Sequence, residues 1–307
     1  MTLAAPPGAS RHLTGRFGQG LALYFAALAC FGLLDSAAKY LAADHPPLMV
    51  VWARYAFNLV FMLPLMAGRP PRLWLASARP GLAVGRGLLL LATTMMFFTA
   101  IAFMPLADAV AIGFVGPLFV TALSVPLLGE TVGPRRWAAV AIGFLGALII
   151  IRPGLGVMHP AAILCLLNAL TFALFTILTR RMAGTDDALT MLFYTALVGT
   201  AAASLALPFV WVVPAGPESL LLMAGMGISS GLGHLLMIAA YRRVEASAMA
   251  PFSYLQLIYV TALGYLVFGD LPDGWTLGGA ALIVAAGLYV TYRERQIAAI
   301  VASTKRS

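Results

Sequence analysis

The sequence predicts an all-α integral membrane protein: ten transmembrane helices, built as two inverted five-helix repeats around a central cavity. Three observations predict it. The 307 residues are 62% hydrophobic and only 10% charged, with mean hydropathy +0.94. Soluble domains carry about 25% charged residues, so this chain lacks the charge to cover a water-facing surface. Its apolar residues come in long runs, and about 20 such residues cross the hydrocarbon core as a helix. Its lysines and arginines, finally, gather at alternate ends of those runs.

Taken in order, the spans fall at 19–43, 47–67, 82–104, 106–128, 134–152, 159–181, 187–211, 218–241, 246–268 and 274–292, numbered here 1 to 10. Arg11 and Arg16 precede an apolar stretch too long for a signal-peptide core, so span 1 reads as a retained helix. Spans 1 and 2 part at "DHPP", 2 and 3 at "GRPPR", 4 and 5 at "GETVGPRR", and 5 and 6 at "RPGLG". In the second half "GTDD", "VPAGPE" and "GDLPDG" punctuate the links. Such tight links place consecutive spans side by side and antiparallel.

Arg11, Arg16, Arg69, Arg72, Arg79, Arg135, Arg136, Arg180, Arg181, Arg242, Arg243, Arg293, Arg295, Lys305 and Arg306 lie at one set of ends, and only Arg152 at the other. Positive loops stay cytoplasmic, which puts both termini inside and requires an even number of spans. The net charge of +8 is thereby a topology signal, and nucleic acid is not an expected partner. The expected location is a bacterial-type inner membrane. Cys30 and Cys165 each sit in an apolar run with no metal-ligand neighbour, so neither a disulfide framework nor a metal is expected.

Self-similarity divides the chain. "TAL" at 121–123 recurs at 261–263, and "GE" at 129–130 matches "GD" at 269–270, both offset by 140. "KYLAA" at 39–43 lies over "RRMAG" at 180–184, offset by 141. Residues 19–152 and 159–292 then form two repeats, with tails 1–18 and 293–307 on the cytoplasmic side. Five spans per repeat is odd, so the second copy inserts upside down. Repeats of this kind place a substrate site near the midplane and allow alternating access.

Charges and polar groups inside spans mark candidate sites, because such residues face the bundle interior or water. Asp35 and Lys39, spaced i and i+4, share a helix face. Asp35 lies 8 residues from the end of span 1, and Arg54 7 residues into span 2. At 1.5 Å per residue both sit roughly 10–12 Å deep, and the expected cluster is Asp35 between Lys39 and Arg54. The alternative is a structural ion pair with Lys39 reaching outward. Arg86, near the start of span 3, reads as an arginine snorkelling to lipid headgroups, and its helix face continues through Thr93 and Phe97. His234, which maps onto Thr93 at offset 141, reads either as a relay or as a histidine bonded to a neighbouring carbonyl. Asn58, Asn168, Tyr254, Gln256 and Tyr259 could glue helices or converge on a ligand with an amino and a carboxylate end. Phe97, Phe172 and Tyr254 would suit an apolar moiety. Gly227 and Gly231, with Pro117 and Pro251, permit close packing or form gating hinges.

Enzyme patterns fail. Gly227-Ile-Ser-Ser-Gly231 fits G-x-S-x-G but lies mid-span rather than at a strand-to-helix turn. Neither a phosphate-cradling G-x-x-x-x-G-K-[ST] nor an H-E-x-x-H occurs. No catalytic residue and no cofactor is expected, and transport must run on a gradient or be passive.

"FGLLDSAAKYLA", "VVWARYAFNLVFMLPL" and "PLFVTALSVPLLGETVGPRRWAAVAIGFLGALIII" resemble the first EamA repeat of the drug/metabolite transporter superfamily. The glycine-acid ending span 4 and Gly143 and Gly146 of span 5 are its most telling parts. "YLQLIYVTALGYLVFGD" is similar to the second repeat, with Asp270 where the family usually has glutamate. The resemblance implies ten helices, cytoplasmic termini, and a cavity lined by spans 1–4 and 6–9. It also implies a carrier of small metabolites, with Lys39 and Arg54 matching a lysine and an arginine common in the family. The leading expectation is export of amino acids or similar amphipathic solutes. The alternatives are uptake of a cationic metabolite such as S-adenosylmethionine or efflux of cationic drugs, with Asp35 as counter-charge. A structural membrane subunit, or an intramembrane enzyme using His234 with Ser229 or Ser230, is the reading from another class. The expected partners are a small-molecule substrate and the bilayer, for a monomer or a homodimer.

Overall fold

The computed structural model describes residues 7–129, 131–153, 159–182, 185–214, 216–244 and 249–304. Among them, nine helices are long and apolar enough to cross a membrane: Phe17–Leu41, Pro47–Ala67, Pro80–Ile101, Leu106–Leu128, Pro134–Ile151, Ala161–Met182, Ala188–Phe209, Pro217–Tyr241 and Gly274–Arg293. The remaining apolar helix, Phe252–Phe268, is shorter and stands ninth in chain order. The sequence placed the start of span 9 at 246; residues 245–248 lie outside the described residues, and the chain enters the helix through a 3-10 turn, Ala250–Tyr254. Helix starts follow proline: Pro47, Pro80, Pro134 and Pro217 each open a span, where the missing N–H has no intrahelical partner to lose.

The two repeats are visible in the packing. Span 1 packs on span 8 as span 6 packs on span 3, and span 2 on span 8 as span 7 on span 3. Span 1 meets span 9 as span 6 meets span 4, while spans 2 and 7, 4 and 9, and 5 and 10 pair with their own counterparts. An exchange of the two halves therefore maps the bundle onto itself.

Details carry the same relation. Span 4 ends on Gly129 at φ 70° and span 9 on Gly269 at φ 72°. Their N–H groups bond Ser124 O and Val125 O, and Gly264 O and Tyr265 O, all offset by 140. This left-handed cap suits glycine, which carries no Cβ to clash. The partner acid Glu130 lies outside the described residues. Span 4 breaks between Leu106–Gly113 and Gly116–Leu128, and the break at Phe114 falls 140 residues before Tyr254, where the 3-10 turn of span 9 passes into α-helix. The two equivalent rings touch, with centroids 5.1 Å apart.

Spans 5 and 10 cross backbone to backbone: a Cβ on Gly146 would meet Gly279 O at 2.7 Å. Gly227 and Gly231 do the same for spans 8 and 2. A side chain on either would strike Phe57, Asn58 or Phe61. Span 8 runs unbroken from Pro217 to Tyr241, and these glycines are where it packs closely on span 2. Pro117 lies in the first turn after the break in span 4, and Pro251 within the 3-10 turn. At both sites the missing N–H coincides with a real irregularity.

Candidate functional site

The centre of the bundle holds two buried arginines. Arg54 rises from span 2, 9% exposed, and Arg86 from span 3, 5% exposed. Arg54 donates from Nε to Ser230 Oγ (3.4 Å) and from Nη1 to Thr94 Oγ1. Tyr55 Oη lies 3.0 Å from the same Thr94 oxygen, because its ring seats directly on Gly199 of span 7. Arg86 donates from Nε to Thr179 Oγ1 (2.7 Å), and from Nη1 to Met191 O (3.0 Å) and Thr195 Oγ1 (2.6 Å). Its guanidinium stands 4.5 Å from the Phe175 ring centroid, a favourable cation–π placement. Arg86 thus belongs to the interior, correcting the snorkelling expectation. Polar threonines on spans 6 and 7 draw the side chain inward, where a headgroup would draw it out.

Both arginines line one pocket, with Tyr55, Asn58, Leu90, Leu192, Thr195, Ser230 and His234. Space for a water-sized sphere is only about 10 Å³, enough for about one water. His234 Nδ1 donates to Ser230 O (2.7 Å), a tautomer assigned by that geometry, and its ring packs edge-on against Phe31. The carbonyl-bonded reading of His234 thus describes its geometry. Asn58 Oδ1 is buried without a hydrogen-bond partner.

Asp35 is half-buried in span 1 and within electrostatic reach of Arg54. Among the described residues its carboxylate has neither a hydrogen bond nor an ion pair. The predicted Asp35–Lys39–Arg54 cluster does not form. Lys39 Nζ instead bonds Asp270 Oδ2 at 2.7 Å and Met104 O at 3.2 Å, with the Phe268 ring 4.9 Å away. The lysine stem extends toward the helix end, and the cap at Gly269 turns Asp270 back to meet it. Nearby, Arg152 pairs with Asp273 at 2.8 Å.

The remaining predicted residues lie elsewhere, with partners of their own. Asn168 Nδ2 donates to Thr93 O, and Thr93 Oγ1 to Thr171 Oγ1, both at 2.9 Å; these join spans 3 and 6. Phe97 packs beside Phe98. Phe172 is 45% exposed and stacks on Phe175, outside the pocket. Gln256 spans the backbone of span 1, its Nε2 donating to Leu28 O (2.8 Å) and its Oε1 accepting from Gly32 N–H (3.2 Å) in the amide orientation that satisfies both atoms. Tyr259 packs its Cβ beside Gly32, and Tyr254 Oη lies over Gly287. Sequence reasoning missed Arg86, Tyr55, Thr94, Thr195 and Ser230 as pocket residues. A signal existed for one of them: Thr195 lies 141 residues after Arg54, so the two repeats place equivalent positions in one pocket.

Comparison with known proteins agrees with this architecture. A model of the EamA-like transporter family matches residues 18–152 and again 159–292. The S-adenosylmethionine uptake transporter of Rickettsia prowazekii is 29% identical over 278 residues, covering 90% of this chain and 94% of the relative. The riboflavin transporter of Vibrio cholerae is 31% identical over 291 residues, covering 91% and 97%. The pseudopaline exporter of Pseudomonas aeruginosa is 28% identical over 275 residues, covering 87% and 94%. One solved crystal structure overlays 91% of this chain and 99% of its own at TM-score 0.62 and 20% identity, which shows the fold alone. Matched over both repeats, this multi-pass membrane protein is a small-molecule transporter and not an enzyme, and it belongs to the EamA-like transporter family.

Proposed function

We propose that this chain carries a small amphipathic metabolite with an amino-acid head across a bacterial inner membrane, S-adenosylmethionine first among the candidates. Transport is by alternating access, with both termini cytoplasmic. The observation that carries the reading is Asp35: a carboxylate among the spans that no described residue hydrogen-bonds. An interior charge without a partner is expensive, and an ammonium or sulfonium centre would supply that partner. The first-matched relatives are named as uptake carriers for such a solute. The pocket is far below the roughly 300–1,000 Å³ that hold a ligand of that size, so the substrate enters only when the halves part. Export of plain amino acids, the leading expectation from sequence, uses the same carboxylate and differs in the gradient that drives it. A second reading, riboflavin, rests on the Vibrio relative, but a flavin without ionised groups leaves Asp35 unanswered.

Proteoliposomes with labelled S-adenosylmethionine, L-methionine or riboflavin outside test the reading. S-adenosylmethionine should accumulate well above protein-free vesicles. Riboflavin alone accumulating would move the assignment to the second reading, and no flux of any amino-acid solute would end it.

A further inference from the structure

We infer that Arg54 and Arg86 together form an anion subsite that takes the substrate's carboxylate, so that a free carboxylate is required of whatever this protein carries. The inference rests on the carrier reading above and specifies what its substrate must contain.

Three facts support it. Both guanidiniums are at least nine-tenths buried and line one pocket. Their existing bonds go only to neutral groups: Ser230 and Thr94 for Arg54, and Thr179, Thr195 and Met191 O for Arg86. Those bonds use Nε and Nη1, and among the described residues neither Nη2 has a hydrogen-bond partner. Neither Nη2 is among the fully enclosed orphan atoms either, so both keep accessible surface. Each guanidinium thus keeps one unused donor nitrogen, and a carboxylate has an oxygen to accept a charge-assisted bond from each.

The charge balance points the same way. The ionisable groups within electrostatic reach are Asp35 from span 1, which reaches Arg54, and Tyr55 from span 2 and His234 from span 8, which reach both arginines. Spans 6 and 7 present threonines and Phe175. None of these ionisable groups is hydrogen-bonded to either guanidinium among the described residues. Asn58 Oδ1, an acceptor buried without a donor, lines the same pocket. An α-amino acid head supplies both signs; a purely cationic drug supplies only the wrong one.

Thermal melting of the purified protein in lipid nanodiscs tests this with four probes: S-adenosylmethionine, its decarboxylated analogue, sodium propionate and sodium chloride. S-adenosylmethionine should bind about 10- to 100-fold more tightly than the decarboxylated compound, the worth of charge-assisted bonds. Propionate at tens of millimolar should raise the melting point where chloride does not. Arg86→Gln removes the charge and the free Nη2 donor, so it should erase both preferences; Arg54→Gln serves if that variant does not assemble. Equal binding of the decarboxylated analogue, or a preference that survives both glutamine variants, overturns the subsite. If neither adenosyl compound binds while an Arg86-dependent propionate shift persists, the substrate assignment falls and the subsite stands. If S-adenosylmethionine is carried but decarboxylation makes no difference, the subsite falls and the carrier reading stands.

Discussion

Two charged regions of this bundle are built oppositely. Where the end of span 1 meets the caps of spans 9 and 10, the cations are matched: Lys39 with Asp270 at 2.7 Å and Arg152 with Asp273 at 2.8 Å. In the centre, Arg54, Arg86 and Asp35 form no ion pair among the described residues. A paired charge at a membrane edge joins helices across the repeats and is satisfied as it stands. An unpaired charge in the interior is destabilising unless something arrives to complete it. The difference separates residues that close the bundle from those we propose receive a ligand, and burial alone would not have made it, since both groups are partly or wholly withdrawn from solvent.

The largest effect expected from breaking this contrast is at Asp35. Asp35→Asn removes the charge while keeping shape, and no existing hydrogen bond is lost. Transport of an ammonium- or sulfonium-bearing solute should fall about 10- to 100-fold, with the melting temperature unchanged or raised. A variant that melts markedly lower yet transports normally would make Asp35 structural and erase the distinction. A smaller effect belongs to the edge. Lys39→Gln or Asp270→Asn breaks a pair whose side chains are 16% and 34% exposed, worth about 1 kcal/mol after solvent screening, or about fivefold in a rate constant. If that pair opens during each cycle, the singles should change turnover more than affinity, and Lys39→Asp with Asp270→Lys should recover most of the loss. Purely additive effects in the double-mutant cycle would show that the two residues do not act as a unit.

How much of this was legible beforehand follows from what a membrane sequence encodes. Depth is readable, because hydropathy runs and proline fix where helices begin: spans 2 and 4 occupy the segments the sequence delimits, 47–67 and 106–128. Arg54 and His234 could be placed at the right level for the same reason. Direction around the helix axis is not readable, because these helices are apolar on nearly every face and show no polar stripe to orient them. That is why Arg86 read as snorkelling although Thr179 and Thr195 hold it inside, and why Lys39 was assigned to Asp35, four residues away. Its partner, Asp270, is 231 residues distant. Only the 140-residue repeat offers long-range information, and it does bring Phe114 against Tyr254.

The smallest expected effect extends the contrast to the opposite, basic end, where the link between spans 6 and 7 meets the link between spans 2 and 3. Asp186 accepts from Ser77 Oγ and from Ala78 N–H at 3.0 Å. Asp187 caps span 7 through Leu189 N–H and Thr190 N–H and pairs with Arg69 at 2.7 Å. Withdrawal from water by itself pushes both carboxyls up. For Asp186 the bonds from Ser77, Ala78 and Thr185, with Arg79 nearby, outweigh it, and for Asp187 the Arg69 pair and the cap do, so both are held below the usual aspartate value. A depressed carboxyl stabilises the fold fully above its unfolded value near 4, and that contribution disappears as pH falls through the lower folded value. Hydrogen exchange of residues 69–79 should therefore be flat from neutral pH to about 5 once corrected for intrinsic rates, and protection should drop below about 4. Asp186→Asn should lower protection by roughly 1 kcal/mol or less at neutral pH and flatten the acid limb. Because neither aspartate faces the pocket, substrate selectivity should be the same on both sides of that transition. A selectivity change that tracks it would mean that this paired edge and the unpaired centre are not independent.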